Sequence, residues 1–208
     1  RYQMHEKAAA DLQWAYDTAH EAADSYVTAI AAQELGVLAG EQGELEKAAQ
    51  FFDESITIAQ KEGYRGLEGL VLNSQAVTYR LTGRFEEAET THHKTLELCR
   101  AMENPLGMVV GLAGLAILYF HLGRFSEAER YFRESIDMGN KHGAQPGMLL
   151  DQLGYLSLLN GNFQQAETYL QQALELCRKS GRRRYEGHTL SHLGLWRYLE
   201  EDLDGARE

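Results

Sequence analysis

Two histidines, His188 and His192, stand four residues apart. On a helix that spacing puts both imidazoles on one side, as a metal pair requires. No Glu follows His188 in the H-E-x-x-H manner and no third ligand stands nearby, so surface or groove histidines are the stronger reading and no metal is expected. His92 and His93 are consecutive, which turns them about 100° apart on a helix and prevents joint chelation. Cys99 and Cys177 have no positioned base beside them in sequence, and small buried residues describe them better than nucleophiles. Gly63, Gly66 and Gly69 make a glycine-rich stretch, but it lacks the strand, Lys and Ser/Thr of a phosphate loop and reads as a turn and a helix start. The paired carboxylates Glu86-Glu87 and Glu200-Glu201 fall at helix starts, where negative charge suits the macrodipole. No constellation of nucleophile, base and oxyanion donor emerges, so the chain is not expected to be an enzyme or to use a cofactor.

Charge adds one local anomaly. Arg178, Lys179, Arg182, Arg183 and Arg184 gather around Gly181 in a chain with 31 Asp+Glu against 20 Lys+Arg and a formal charge of -11. The cluster is either a solvated loop or a docking patch for an acidic partner or phosphate. Net repulsion from a phosphate backbone argues against nucleic acid as a partner. The most apolar run, residues 106–120, is shorter than the roughly 20 residues a spanning helix needs, so no membrane association is expected. Two cysteines are too few for a disulfide framework and fit a reducing compartment, the cytoplasm by default.

The elements that carry these residues are helices. With 44% hydrophobic residues and only two prolines, the chain can bury a core and build long helices from its abundant Ala, Leu, Glu and Gln. A motif recurs along it: Gly43-Glu44-Leu45-Glu46-Lys47-Ala48, Gly83-Arg84-Phe85-Glu86-Glu87-Ala88, Gly123-Arg124-Phe125-Ser126-Glu127-Ala128 and Gly161-Asn162-Phe163-Gln164-Gln165-Ala166, with a fifth copy at Glu201-Asp202-Leu203-Asp204-Gly205-Ala206. The copies are 40 residues apart, save one interval of 38, and each separates two helical stretches. Glycine there can close the first helix in the left-handed conformation, and the small Ala lets the helix pair approach closely. A second set of stops falls at Gly63, Asn104, Gly143 and Gly181, with Pro105 and Pro146 just beyond, at places suited to a first helical turn. Cys99 and Cys177 share one position of this repeat, where Ala59 and Gly139 stand in the other copies.

One helix pair cannot bury its apolar face alone, so neighbouring pairs must stack. The expected architecture is all-α, a right-handed α-solenoid of helix-turn-helix repeats. The register assigns 1–23 to the second helix of a preceding repeat, 24–63, 64–104, 105–143 and 144–181 to full repeats, and 182–208 to a partial one. Beginning and ending within a repeat, the chain is expected to be a piece of a longer solenoid. Its uncovered ends, with Leu12, Trp14 and Tyr16 at one and Leu195, Trp196 and Leu199 at the other, are expected to support self-association.

The pattern resembles the tetratricopeptide repeat family. Leu35-Gly36, Leu153-Gly154 and Leu193-Gly194 match its Leu-Gly pair, with Ala76 and Ala116 in place of the glycine. Tyr79 and Tyr119 match its tyrosine, Ala48, Ala88, Ala128 and Ala166 its alanine, and Phe52 and Phe132 its later aromatic. The departures are a missing Trp, His92 at the aromatic position, and Ala39, Ser157 and Arg197 where Tyr belongs. The 40-residue period is similar to the arrays of kinesin light chain, the Pins/LGN spindle proteins and the sensor solenoids of MalT-type bacterial regulators.

That resemblance implies a concave face lined by the first helices. In its register Gln33, Asn73, Asp151 and Ser191 are inward, with Val77, Ile117 and Tyr155 one turn on. Arg80, Phe120, Leu158 and Tyr198 follow, with His121 and His192 beside them. Amides would grip a peptide backbone and aromatic rings would anchor its side chains. The implied function is a non-catalytic scaffold binding a protein or peptide segment. The alternative is a segment of a bacterial ATPase-type regulator or kinase that senses a ligand or inhibitor. Fold does not choose between them.

Overall fold

The computed structural model describes the backbone of residues 2–144 and 146–205, and side chains within 7–200 apart from residues 8 and 145. The described residues form ten α-helices: α1 Tyr2–Glu21, α2 Ser25–Glu41, α3 Leu45–Glu62, α4 Arg65–Leu81, α5 Phe85–Ala101, α6 Pro105–His121, α7 Phe125–Lys141, α8 Gly147–Leu159, α9 Phe163–Lys179 and α10 Arg183–Gly205. Each inter-helix turn contains one left-handed residue: Ala23, Gly43, Gly63, Gly83, Glu103, Gly123, Gly143, Gly161 and Gly181. In chain order these lie 20 residues apart, with one interval of 18 across α8. Thus the 40-residue repeat is two nearly equal helix-plus-turn units.

The turns close alike. At the end of α2 the Gly43 N–H donates to Gly40 O and the Glu44 N–H to Ala39 O, at 3.1 and 2.9 Å. These are the two bonds of a Schellman end, which require the left-handed residue between them. Asp24 and Asn104 cap α2 and α6, accepting from the Val27 and Gly107 N–H groups at 3.1 and 3.0 Å. A brace follows two of the turns. Arg84 stacks over Tyr79 and bonds Glu87, and 40 residues on Arg124 does the same with Tyr119 and Glu127.

The chain divides into two compact units, 1–114 and 115–208, with the boundary inside α6. In unit 1, Phe52, Val71, Ala29, Ala48 and Ala59 form the core. Burying a ring like Phe52 contributes about 1.5–3 kcal/mol. It is placed by Gly36, where an added Cβ would come within 2.9 Å of the ring. The buried Ser55 hydroxyl donates to Ala29 O at 2.6 Å. Unit 2 is built on Leu158, Ala166, Leu170 and Trp196. Leu170 lies against Gly154 at 2.7 Å from an ideal Cβ, repeating the contact of Phe52 with Gly36.

Several expectations are corrected. The left-handed residue before α6 is Glu103 rather than Asn104, whose side chain caps the helix instead. Pro105 opens α6, but Pro146 is the cap residue before α8, not its first helical residue. The fifth copy of the turn motif makes no turn, because α10 continues through Gly205. The other four copies start with the left-handed glycine, and Glu201 stands in that place. Trp196 is buried and donates from Nε1 to Phe163 O at 3.0 Å, so it is not an uncovered end. Trp14 is 70% exposed, whereas Tyr16 packs edge-on against Phe51 and donates to Glu54.

Candidate binding site

The first helices of the pairs, α2, α4, α6, α8 and α10, carry the residues expected to line a concave face, and each unit presents its own set. In unit 1 Gln33 is buried, and its Nε2 donates to Glu34 at 3.1 Å and to Ser74 at 3.3 Å. Asn73, one repeat on, is half-buried, and its amide has no hydrogen-bond partner among the described residues. It lines two clefts of about 180 and 200 Å³, one on each flank of α4. Val77 lines the second cleft. Arg80 is half-buried, and burial holds its pKa below the usual guanidinium range.

The first cleft adds residues that the sequence had not marked for binding: Leu70 and Val110, 53% and 48% exposed, and Cys99 at its floor. The repeat itself carried a signal for the first two, since both are apolar side chains one turn before the Asn73 position and its equivalent on α6.

In unit 2 three successive first helices bring rings together. Phe120 of α6 meets Tyr155 of α8 at 5.9 Å between centroids, and Tyr155 stacks on His192 of α10 at 4.5 Å and 11°. His192 Nδ1 lies 3.0 Å from the Asp151 carboxylate, which is almost fully buried. Asp151, Tyr155 and His192, read in sequence as separate inward positions, form one contact run with Phe120. The Tyr155 hydroxyl has no hydrogen-bond partner among the described residues. Ile117 is half-buried beside this run in sequence, and His121 and Tyr198 are exposed. Ser191 is exposed and donates to Gly187 O. Leu158 belongs to the core.

His188 is exposed, and among the described residues no group of three His, Cys, Asp or Glu could hold a metal ion. Burial pushes up the thiol pKa of Cys99, and burial together with the Asp151 carboxylate does so for Cys177. Both therefore stay protonated, which is the opposite of what a nucleophile needs. In the basic turn Arg178 pairs with Glu186 and Lys179 with Glu175, at 2.9 and 2.6 Å. Arg182, Arg183 and Arg184 are exposed. Among the described residues no helix is long and apolar enough to cross a membrane.

Residues 6–207 match the family model described as MalT-like TPR region. Among solved structures the fold is similar to BtubC (BKLC) from P. vanneervenii, 17% identical, covering 98% of this chain and 89% of that one, with a TM-score of 0.76. It is similar to a Rap protein complexed with competence and sporulation factor, at 15% identity, 88% and 53% coverage and a TM-score of 0.69. A third likeness is to PH0952 from Pyrococcus horikoshii, a signal transduction ATPase with numerous domains that has a tetratricopeptide repeat sensor. There identity is 17%, coverage 81% and 26%, and the TM-score 0.65. At these identities the likeness concerns the fold.

Proposed function

Because the chain belongs to the MalT-like TPR family, we propose that it is a non-catalytic binding module whose first helices receive a segment of a protein or peptide. The observation that carries this reading is the run of rings Phe120, Tyr155 and His192, contributed by three successive first helices, with the Tyr155 hydroxyl left to bond a ligand. Rings of this kind supply contact area at small entropic cost and are common anchors of binding energy. The Rap protein complexed with competence and sporulation factor lends support. Two buried free cysteines suit a reducing cytoplasm.

A second reading, a sensing segment within a larger signalling protein, is favoured by the family and by the repeat sensor of PH0952. The two clefts of unit 1, at about 180 and 200 Å³, are smaller than the roughly 300–1,000 Å³ typical of small-molecule sites. They suit single side chains better.

The test is to isolate a binder by pull-down and titrate it calorimetrically against wild type, Phe120→Ala and Tyr155→Ala. Each variant is expected to lose about 2 kcal/mol of affinity, near thirtyfold. Full affinity in both, with loss on charge reversal of Arg182, Arg183 and Arg184, would move the site to the basic turn. A small molecule that raises the melting temperature where no polypeptide binds would favour the sensor reading.

A further inference from the structure

The helix α10 carries an unfilled copy of a surface that is filled elsewhere in unit 2. Counted from the Leu-Gly pairs, Gly187, Leu190 and Gly194 of α10 hold the positions of Gly147, Leu150 and Gly154 on α8. On α8 all three are buried, and α9 reaches both glycines. A Cβ added at Gly154 would meet Leu170 at 2.7 Å, and one at Gly147 would meet Leu176 and Cys177 at 3.3 and 3.6 Å. On α10 all three are exposed, Leu190 by 45% against 6% for Leu150. Among the described residues nothing lies within 4 Å of a Cβ at Gly187 or Gly194.

The pairing of α9 with α8 shows what such a face takes, and α1 has it. Leu12, Ala15 and Ala19 are spaced as Leu170, Ala173 and Cys177 are. Leu170 and Ala173 are fully buried, but Leu12 and Ala15 are only half-buried. At the first two of these positions α3, α5 and α7 carry Phe52 and Ser55, His92 and Thr95, and Phe132 and Ser135, so α1 matches α9 and none of those three. We propose that α1 of a second copy of this chain docks on α10, antiparallel, as α9 docks on α8. Leu12 then fills the space at Gly194, and Ala19 comes beside Gly187.

Charge favours the same pairing. The antiparallel arrangement brings the C-terminal end of α1 to the N-terminal end of α10. Asp17, Glu21 and Asp24 are exposed at the first, and Arg182, Arg183 and Arg184 at the second, where none of the three arginines is in an ion pair among the described residues. In unit 1, Arg65 and Asn104 line one cleft, and Arg183 and Asp24 hold those two repeat positions in the proposed contact. Apolar burial supplies the attraction, and the charges fix the direction. The contact joins different surfaces of the two copies, so it runs head to tail, and an open assembly keeps one α1 and one α10 available for the next copy.

The experiment is sedimentation velocity on the 208-residue chain across a concentration series, with two variants. Gly194→Leu fills the space from its own side, and because that position is open and leucine is the better helix former, helicity by circular dichroism is kept or gained. Leu12→Arg sets a cation in the face that meets Arg197, one turn from Gly194, and circular dichroism checks that it keeps the wild-type helicity. The wild-type chain is expected to associate as concentration rises, and each variant alone to stay monomeric. Their equimolar mixture should form a one-to-one complex and nothing larger, because one intact α1 face and one intact α10 face remain in it. High salt and Arg183→Asp should each weaken the wild-type association about fivefold, as loss of an exposed ion pair does. A wild-type chain that stays monomeric at near-millimolar concentration, association that survives either variant, or a mixture that stays monomeric would overturn the proposal. So would capture of a synthetic peptide of residues 163–179, the α9 sequence, by a chain whose copies do not associate, since the occupant of α10 would then be another helix.

Discussion

His92 takes the position that Phe52, Phe132 and Leu170 hold in the other repeats. It is fully buried, and among the described residues neither ring nitrogen has a hydrogen-bond partner. Burial, with smaller contributions from Arg80 and His93, pushes its pKa down from 6.5 to about 4. The unfolded chain therefore binds a proton that the folded chain refuses between those two values, and stability is full above pH 6.5 and lost as the pH falls toward 4. The shift corresponds to about 3 kcal/mol. His92→Leu places at this position the residue that Leu170 supplies in unit 2, and removes the imidazole that stands against Gly114. It is expected to raise stability at pH 7 by about 1–3 kcal/mol, the cost of a buried unbonded polar group, and to flatten the acid slope between pH 6.5 and 4. Urea titrations across that range check both, and an unchanged slope in the variant would show that another group carries the acid sensitivity. The sequence marked His92 as a departure from an aromatic position and, beside His93, as unable to chelate. Its seat against the bare backbone of Gly114, 22 residues away, could not be read there. The same limit applies to Gln33 and Leu158: their register was legible, but the Ser74 hydroxyl that engages one and the Trp196 ring that helps cover the other come from neighbouring helices.

At the scale of the helix, the turns that carry glycine were legible because only glycine takes the left-handed conformation without cost. Ala23 and Glu103 take it too, at φ 54° and 50°, and nothing in their side chains announces it. The conformation costs an L-residue about 1–2 kcal/mol, part of which glycine gives back through its freer unfolded chain. Glu103→Gly is thus expected to stabilise by about 0.5–1 kcal/mol, and Glu103→Val to destabilise, because a β-branched residue fits that region worst. Thermal unfolding of the two variants checks the order, and a lower melting temperature for Glu103→Gly than for wild type would refute it. Glu201 shows the converse. With no glycine at the head of the fifth motif copy, α10 runs on, and the small differences that decide such a helix end lie in the turn residue rather than in the amphipathic pattern around it.

For the molecule as a whole the 20-residue spacing of turns implies that stability resides in contacts between adjacent helices, and unit 1 allows that to be tested by excision. Removing residues 64–103 joins Gly63 to Asn104 and seats α6 where α4 was. The partners α6 loses are Cys99 against Gly107, Leu96 against Gly111 and His92 against Gly114. One repeat earlier the same positions hold Ala59, Ile56 and Phe52, each apolar, and the last removes the buried imidazole. Removing only 64–83 instead brings α5 into the place of α4, setting Thr91 and His92 where Val71 and Leu72 are buried. The 40-residue deletion is expected to keep the helical circular dichroism per residue and a single urea transition, with an m-value lower by roughly one fifth in step with the exposed surface. The 20-residue deletion is expected to lose its cooperative transition. Equal stability of the two deletions would mean that the helices do not depend on which face their neighbours present, and the repeat would then be a pattern in the sequence without energetic meaning.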